Sequence, residues 1–180
     1  EETRRYFANL LTTNGPILDF LDSDYTFLNG PLAKHYGFEG INGEAFRRVS
    51  LPKNAHRGGL LGHASVLTVT ANGVETSPVV RGVWILENIL GTPPSPPPPD
   101  VEPLEPDTRG ATTIREQLKK HRNAQACTDC HAKIDPLGFA LEYYDPIGGY
   151  RKSYPSVKLG QKQVPGKRVD GSGELPSGES

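Results

Sequence analysis

The segment Cys127-Thr128-Asp129-Cys130-His131 constrains this chain more than any other part of it, because it holds the only two cysteines among 180 residues. Two cysteines separated by two residues and followed directly by histidine form the attachment signature of c-type haem. The two thiols add to the vinyl groups of a porphyrin, and the adjacent imidazole then reaches the iron as an axial ligand. The sequence therefore predicts one haem c, with Cys127 and Cys130 as thioether anchors and His131 as proximal ligand.

Two other interpretations of the cysteine pair receive less support from the rest of the sequence. A structural zinc site needs a second cysteine pair or histidines at ligand spacing. The other histidines are scattered, at positions His35, His56, His63 and His121. A thioredoxin-like redox pair follows a strand, whereas residues 113–123 carry a helical pattern that begins with a capping box.

The composition predicts a compact fold that is rich in loops. Only 35% of the residues are hydrophobic, and the chain contains 20 glycines and 17 prolines. The apolar surface of a porphyrin would add to such a modest core. A net charge of −1 gives no bulk attraction to nucleic acid or to an acidic membrane surface. The sequence contains no run of about 18 apolar residues, so it predicts no transmembrane segment.

Short helices are predicted on both sides of a proline-rich stretch. One starts at Asn29-Gly30-Pro31, with the proline near the first helical position, and runs from Leu32 to Tyr36. The clearest covers residues 78–90, where Ser77 is the N-cap, Pro78 the first helical position and Gly91 the end. Trp84, the only tryptophan, is expected in the core or against the haem. After His131 we expect another short helix or turn at 137–141. The carbonyl of Pro136 or of a neighbour is then a candidate acceptor for the second ring nitrogen of His131.

The run of prolines from Pro93 to Pro99 predicts polyproline II and thus a stiff strap, or else a ligand for an aromatic groove in a partner. We expect an N-terminal helical region at 1–92 that supplies the distal side of the haem, the strap at 93–111, and the haem attachment region with a basic tail at 112–180. The expected fold class is mainly α: a loop-rich, cytochrome c-like fold of short helices around one haem.

The candidates for the sixth iron ligand are the four other histidines, then a lysine or tyrosine, and last an open site. There is no methionine, so a His/Met iron is excluded. His63 stands in the apolar run 57–70, next to Gly62, and a buried imidazole needs a partner. We therefore expect bis-histidine iron held by His131 and His63, although a histidine in an apolar run is also commonly a core residue.

Several stretches taken together resemble the C-terminal region of the large planctomycete-type secreted cytochrome c proteins, which carry uncharacterised domains in series. The stretches that carry the resemblance, besides the prolines, are 25–29, 32–37, 59–68, 76–84 and 127–142. The resemblance implies an extracytoplasmic single-haem module at the end of a longer polypeptide. Because residues 169–176 look like the start of a further stretch, we expect the chain to be truncated.

Two functions follow from these expectations. The first is single-electron transfer by a monohaem c-type cytochrome module, either to redox protein partners or to further domains of the same polypeptide. The second is a haem enzyme or gas-binding module, which needs an open or labile sixth position on the iron. A non-redox interaction module has little support. Covalent haem attachment normally occurs outside the cytoplasm, so a periplasmic or otherwise secreted location is expected.

Overall fold

The computed structural model describes residues 1–96, 113–121, 125–159 and 161–173. The chain forms two compact units. Unit 1 contains Glu1–Val69 and Asp145–Tyr150, and unit 2 contains Thr70–Tyr144 and Arg151–Ser180. Each unit therefore has its own elements and its own buried residues, and the haem-attachment motif belongs to unit 2.

Unit 1 combines short helices with a small antiparallel sheet. Its elements are α1 (Glu2–Thr13), β1 (Tyr25–Leu28), α2 (Gly30–Tyr36), β2 (Arg47–Ser50) and α3 (Ala64–Val69), with 3₁₀ turns at Ile17–Phe20 and Leu60–Gly62. In the sheet, Tyr25 lies opposite Ser50 and Leu28 lies opposite Arg47. Helix α2 begins as its residues predict, because the Asn29 side chain accepts a hydrogen bond from the Leu32 N–H.

The core of unit 1 is aromatic. Tyr6 is fully buried and stacks on Tyr25, with 5.2 Å between the ring centroids. Leu10 is buried beside them, and Phe20 and Phe27 pack against this cluster. Helix α1 is thus fixed to β1 by stacked rings.

Unit 2 contains the predicted helix at 78–90 and the helix that carries the cysteines. Its elements are α4 (Pro78–Asn88), α5 (Ile114–His121), α6 (Gln125–Phe139), β3 (Val157–Leu159) and β4 (Lys162–Val164). The Ser77 side chain caps α4 by accepting from the Val80 N–H. Thr113 and Glu116 form the predicted capping box of α5, since each side chain accepts a hydrogen bond from the other residue's N–H.

Helices α4 and α6 pack closely because each places a glycine at their contact. A Cβ on Gly82 would lie 2.0 Å from the Ile134 carbonyl oxygen, and a Cβ on Gly138 would lie 1.8 Å from the Pro78 carbonyl oxygen. No other residue type lets two backbones approach so closely. The two glycines therefore set the position of α6 against α4.

The predicted mainly α, cytochrome c-like fold is wrong. The described chain is mixed, with helices accompanied by two small antiparallel sheets, one in each unit. The strand β1 reads Tyr-Thr-Phe-Leu, and such aromatic and β-branched residues favour a pleated, half-buried strand. Its partner β2 has only one partly buried side chain, so its own pattern gives little indication of a strand.

The predicted break after the haem motif is also wrong. Residues 125–139 form one continuous helix that includes Pro136 in its interior. A proline inside a helix removes one hydrogen bond and costs about 3 kcal/mol, so sequence rules favour a new element at this point. The helix continues because its residues on both sides of Pro136 are packed against α4 through Ile134 and Gly138.

Most of the predicted strap lies outside the described residues. Residues 93–96 have no regular secondary structure, and residues 97–111 lie outside the described residues. Helix α4, which we assigned to the N-terminal segment 1–92, lies in unit 2 with the cysteine motif. The division into 1–92, 93–111 and 112–180 stays a prediction. Within the described ranges, none of the helices is long and apolar enough to cross a membrane.

Candidate haem-attachment site

The residues predicted to attach a haem lie on one face of α6. Cys127, Cys130 and His131 occupy positions i, i+3 and i+4 of a continuous helix, so their side chains point to the same side. Both cysteines are free thiols and both are partly exposed. Helix α6 thus presents two thiols and an imidazole together at an accessible surface.

The imidazole of His131 is oriented by a buried carboxylate. Its Nδ1 lies 2.9 Å from Oδ1 of Asp135, one helical turn further along α6. Asp135 is 1% exposed, whereas the side chain of His131 is 20% exposed. A neutral imidazole donates to a carboxylate only through a protonated nitrogen, so Nδ1 carries the proton and Nε2 is left as the ligating nitrogen.

These residues fit a c-type haem by the chemistry of their donor atoms. Two reduced thiols are required for the thioethers, and an accessible neutral imidazole nitrogen is required for the iron. Helix α6 supplies all of these within five residues. The described residues, those of α6 included, hold no cluster of three or more histidine, cysteine, aspartate or glutamate side chains that could bind a metal ion by themselves.

Trp84 and Pro136 are the other predicted cofactor-binding residues of unit 2. Both lie in helices, and the carbonyl of each accepts a hydrogen bond from the residue four positions later. Trp84 lies in α4, is half-buried, and its carbonyl accepts a hydrogen bond from the Asn88 side chain. The carbonyl of Pro136 accepts the Ala140 N–H at 3.3 Å, as helical geometry requires. The group that lies within hydrogen-bond distance of Nδ1 of His131 is the side chain of Asp135, the residue before Pro136. The role of Trp84 toward a haem stays a prediction.

A buried ion pair stands where α6 ends, and sequence reasoning missed it. Arg81 of α4 and Glu142 are both completely buried, with Arg81 Nη1 3.9 Å from Glu142 Oε2. Arg81 also donates to the carbonyls of Leu141 and Tyr144, at 2.8 and 3.0 Å. The sequence does carry one indication of this network. Arg81 lies in the middle of the apolar stripe of the predicted helix 78–90, and a buried guanidinium requires hydrogen-bond acceptors.

Two further side chains complete this network on the carboxylate side. Glu142 Oε1 accepts hydrogen bonds from the Thr76 hydroxyl and from the Arg151 guanidinium. The arginine also donates to the Thr76 hydroxyl at 3.0 Å. The network joins Thr76, two residues before α4, with helix α4 itself and the chain that follows α6. It therefore fixes the end of the pair at which α4 begins and α6 ends.

His63 is enclosed within unit 1. It is 1% exposed, its Nδ1 lies 2.9 Å from the Thr3 hydroxyl, and its ring meets the Tyr6 ring edge-on at 4.9 Å. Its Nε2 is buried without a hydrogen-bond partner, 3.9 Å from Glu2 Oε1. Burial, with a smaller contribution from the Arg57 charge, lowers the pKa of His63 to about 4. These contacts give His63 a packing role in unit 1, and its ligation of iron stays a prediction.

The carboxylate next to His63 belongs to the same buried group. Glu2 accepts hydrogen bonds from the Thr26 hydroxyl at 2.7 Å and from the Tyr36 hydroxyl at 2.5 Å. Burial raises the pKa of Glu2 despite these two donors. The Arg57 guanidinium lies over the Tyr36 ring, 3.4 Å from its centroid. Helices α1 and α2 are therefore joined by a polar cluster beside the aromatic core.

We expect His63 to make unit 1 sensitive to acid. Between pH 6.5 and about 4 the unfolded chain protonates this imidazole and the folded chain does not. His63 therefore lowers the free energy of unfolding as the pH falls through that range, by on the order of 3 kcal/mol at its lower end. The raised pKa of Glu2 acts in the opposite direction, so the comparison must be made against a His63→Asn variant. The measurement is urea denaturation followed by circular dichroism between pH 7 and 4.

His63→Asn keeps a polar atom near the Thr3 hydroxyl but cannot titrate, so its stability should fall less with acid than that of the parent. His35→Asn is the matched control, because His35 is a second histidine of unit 1 whose Nε2 meets the Ile147 carbonyl at 2.8 Å. If the parent and His63→Asn have parallel pH curves, the neutral buried state of His63 is wrong.

The remaining histidines have other surroundings. His56 stacks on Tyr150, with 4.3 Å between ring centroids and an interplanar angle of 3°. His121 is the last residue of α5.

Two family matches cover most of the chain. Residues 57–154 match PSCyt3, described as a protein of unknown function (DUF1588). Residues 1–38 match PSD4, also described as a protein of unknown function (DUF1592). Both are among the planctomycete cytochrome c-associated domain families, so the resemblance predicted from sequence is confirmed at that level. Neither the curated proteins nor the solved structures include a match to this chain.

Proposed function

This chain belongs to the PSCyt3 family of proteins of unknown function, and we propose that it is a monohaem c-type cytochrome module for single-electron transfer outside the cytoplasm. The proposal includes its place as the haem-binding C-terminal part of a larger secreted polypeptide. It rests on the attachment chemistry of the cysteine motif and not on a cytochrome c fold. The observation that carries it is the one face of α6 that holds Cys127, Cys130 and a correctly oriented His131.

Each residue of that face has a definite task in this proposal. Cys127 and Cys130 would anchor the porphyrin by two thioethers. His131 offers Nε2 to the iron while Asp135 holds the proton on Nδ1. The haem supplies an iron that changes by one electron between Fe(III) and Fe(II). That electron comes from a reduced redox protein and passes to an oxidised one, either of which can be another domain of the same polypeptide.

The covalent attachment is tested by removing both thiols. A Cys127→Ala/Cys130→Ala variant, exported to a bacterial periplasm that carries a cytochrome c maturation system, should lose its haem on acid–acetone extraction, whereas the parent should keep it. Thr128→Ala/Asp129→Ala is the matched control, since it alters the two residues between the cysteines and leaves both thiols. The pyridine haemochrome spectrum of each extracted protein is the measurement. A parent that releases its haem into acetone would refute the proposal.

A second candidate function is a gas-binding or enzymatic haem with an open sixth position. This candidate is supported by His63, which already packs against Tyr6 and forms a hydrogen bond with Thr3, and by the absence of methionine from the sequence. Both observations leave fewer side chains to occupy the sixth position on the iron. Reduced parent protein that binds carbon monoxide at once favours this candidate. A reduced protein that resists carbon monoxide, and that becomes high-spin and reactive in His63→Ala, favours electron transfer through bis-histidine iron.

A further inference from the structure

We propose that Asp135 is a positioning residue for the haem iron, which lowers the reduction potential by holding the Nδ1 proton of His131. The inference rests on the proposed function, since it concerns the iron that His131 would bind. It assigns to a side-chain carboxylate the role that the sequence suggested for a backbone carbonyl near Pro136.

The geometry of the pair is that of a strong, directed hydrogen bond. The Nδ1–Oδ1 distance is 2.9 Å, and the two residues are one turn apart on the same helix. Asp135 is 1% exposed, so water competes little for its carboxylate. Hydrogen bonds to a charged acceptor are about twice as strong as neutral ones, and low local polarity strengthens them further. The carboxylate therefore holds the imidazole more firmly than a carbonyl could.

The backbone that carries Asp135 is fixed on both sides. The residue before it, Ile134, has its carbonyl against Gly82 of α4, and Gly138 lies against the carbonyl of Pro78. Both contacts are between backbones, which leaves α6 little freedom to rotate or slide. The carboxylate is consequently held in place by helix packing, and the imidazole is held by the carboxylate.

This arrangement has an electronic consequence for the proposed iron site. A carboxylate on Nδ1–H increases electron density on the imidazole and makes Nε2 a stronger donor to the metal. A stronger donor, together with a nearby negative charge, stabilises Fe(III) more than Fe(II). The reduction potential is expected to be lower than it would be with a neutral acceptor at the same position.

Asp135→Asn tests this directly, because the amide keeps an acceptor of the same size and removes the charge. Asp129→Asn is the matched control, since Asp129 is an exposed residue of α6 two positions before His131 and its replacement removes the same charge without that hydrogen bond. We expect the midpoint potential to rise clearly more in Asp135→Asn than in Asp129→Asn. The iron–histidine stretching frequency of the reduced protein, read by resonance Raman after any sixth ligand has been removed by His63→Ala, should fall only in Asp135→Asn.

The outcomes separate this inference from the proposed function. A parent without covalent haem overturns both. A parent with covalent haem, in which the two asparagine variants shift the potential equally and leave the iron–histidine frequency unchanged, overturns only the role of Asp135. If Asp135→Asn does not fold, Asp135→Ser replaces it, because serine is small and offers a neutral hydroxyl. Circular dichroism identifies which variants are folded.

Discussion

Replacing Gly138 with alanine should destabilise unit 2 by about 3 kcal/mol or more, a value at the upper end for overpacking. The added Cβ would lie 1.8 Å from the Pro78 carbonyl oxygen, and that oxygen belongs to backbone that cannot rotate away. Helices α4 and α6 would have to separate, which exposes the buried residues between them. Gly82→Ala should behave in the same way, because its Cβ would lie 2.0 Å from the Ile134 carbonyl oxygen. Urea denaturation followed by Trp84 fluorescence reports unit 2, since Trp84 is the only tryptophan.

The matched control for these variants is Ala132→Gly, an exposed position on the same helix. Intrinsic helix propensity favours alanine over glycine by about 1 kcal/mol, so the control should lose that amount. By helix propensity alone, Gly138→Ala should increase the free energy of unfolding by the same amount. A Gly138→Ala variant that is as stable as the parent, or more stable, would show that the two helices do not meet at this glycine.

Removing the charge of Arg81 should have a comparably large effect. An Arg81→Met variant leaves Glu142 in a fully buried position and deprives the Leu141 and Tyr144 carbonyls of their donor. Breaking one side of a buried ion pair typically costs about 3–5 kcal/mol. Arg151 still donates to Glu142 in this variant, so we expect a loss near the lower end of that range, from the weaker compensation of the carboxylate and from the two carbonyls that lose this donor. Trp84, three residues along α4, again reports the loss as a lower urea midpoint.

Lys167→Met is the matched control, because it removes the positive charge of an exposed ion pair instead of a buried one. Lys167 donates to Glu116 at 2.8 Å, but both side chains are almost half exposed, and such pairs contribute less than about 1 kcal/mol. The double variant Arg81→Met/Glu142→Leu should recover part of the loss, since it removes both buried charges. Equal effects of Arg81→Met and Lys167→Met would contradict the buried network around Glu142.

The starts of three helices and the cysteine motif could be predicted from the sequence, because the residues that cause each of them lie within a few positions of one another. Asn29, Ser77 and the Thr113–Glu116 box each satisfy the first amide groups of a helix from a neighbouring position, and all three helices begin where they predict. The haem-attachment motif is local in the same sense, since thioether spacing and the next residue define its chemistry. Its covalent haem stays a prediction that the acid–acetone experiment tests.

The position of Asp135 shows how a wrong local rule concealed a side-chain contact. A proline at 136 argued for a new element, so Asp135 was not counted as one helical turn from His131. Had α6 been predicted as continuous, the i, i+4 spacing would have indicated the contact. The proline is tolerated because packing against α4 stabilises the helix beyond it, and packing is not visible in a local pattern.

By itself the sequence determined the spacing of the thiols and imidazole, the starts of three helices and the family to which the chain belongs. Only the tertiary structure decided that β1 pairs with β2, that Arg81 meets Glu142, and that His63 is enclosed against Thr3 and Tyr6. These pairs are separated by about 20 to 60 positions. Contacts over such separations depend on how whole elements pack, and their side chains carry no pattern that fixes a distant partner.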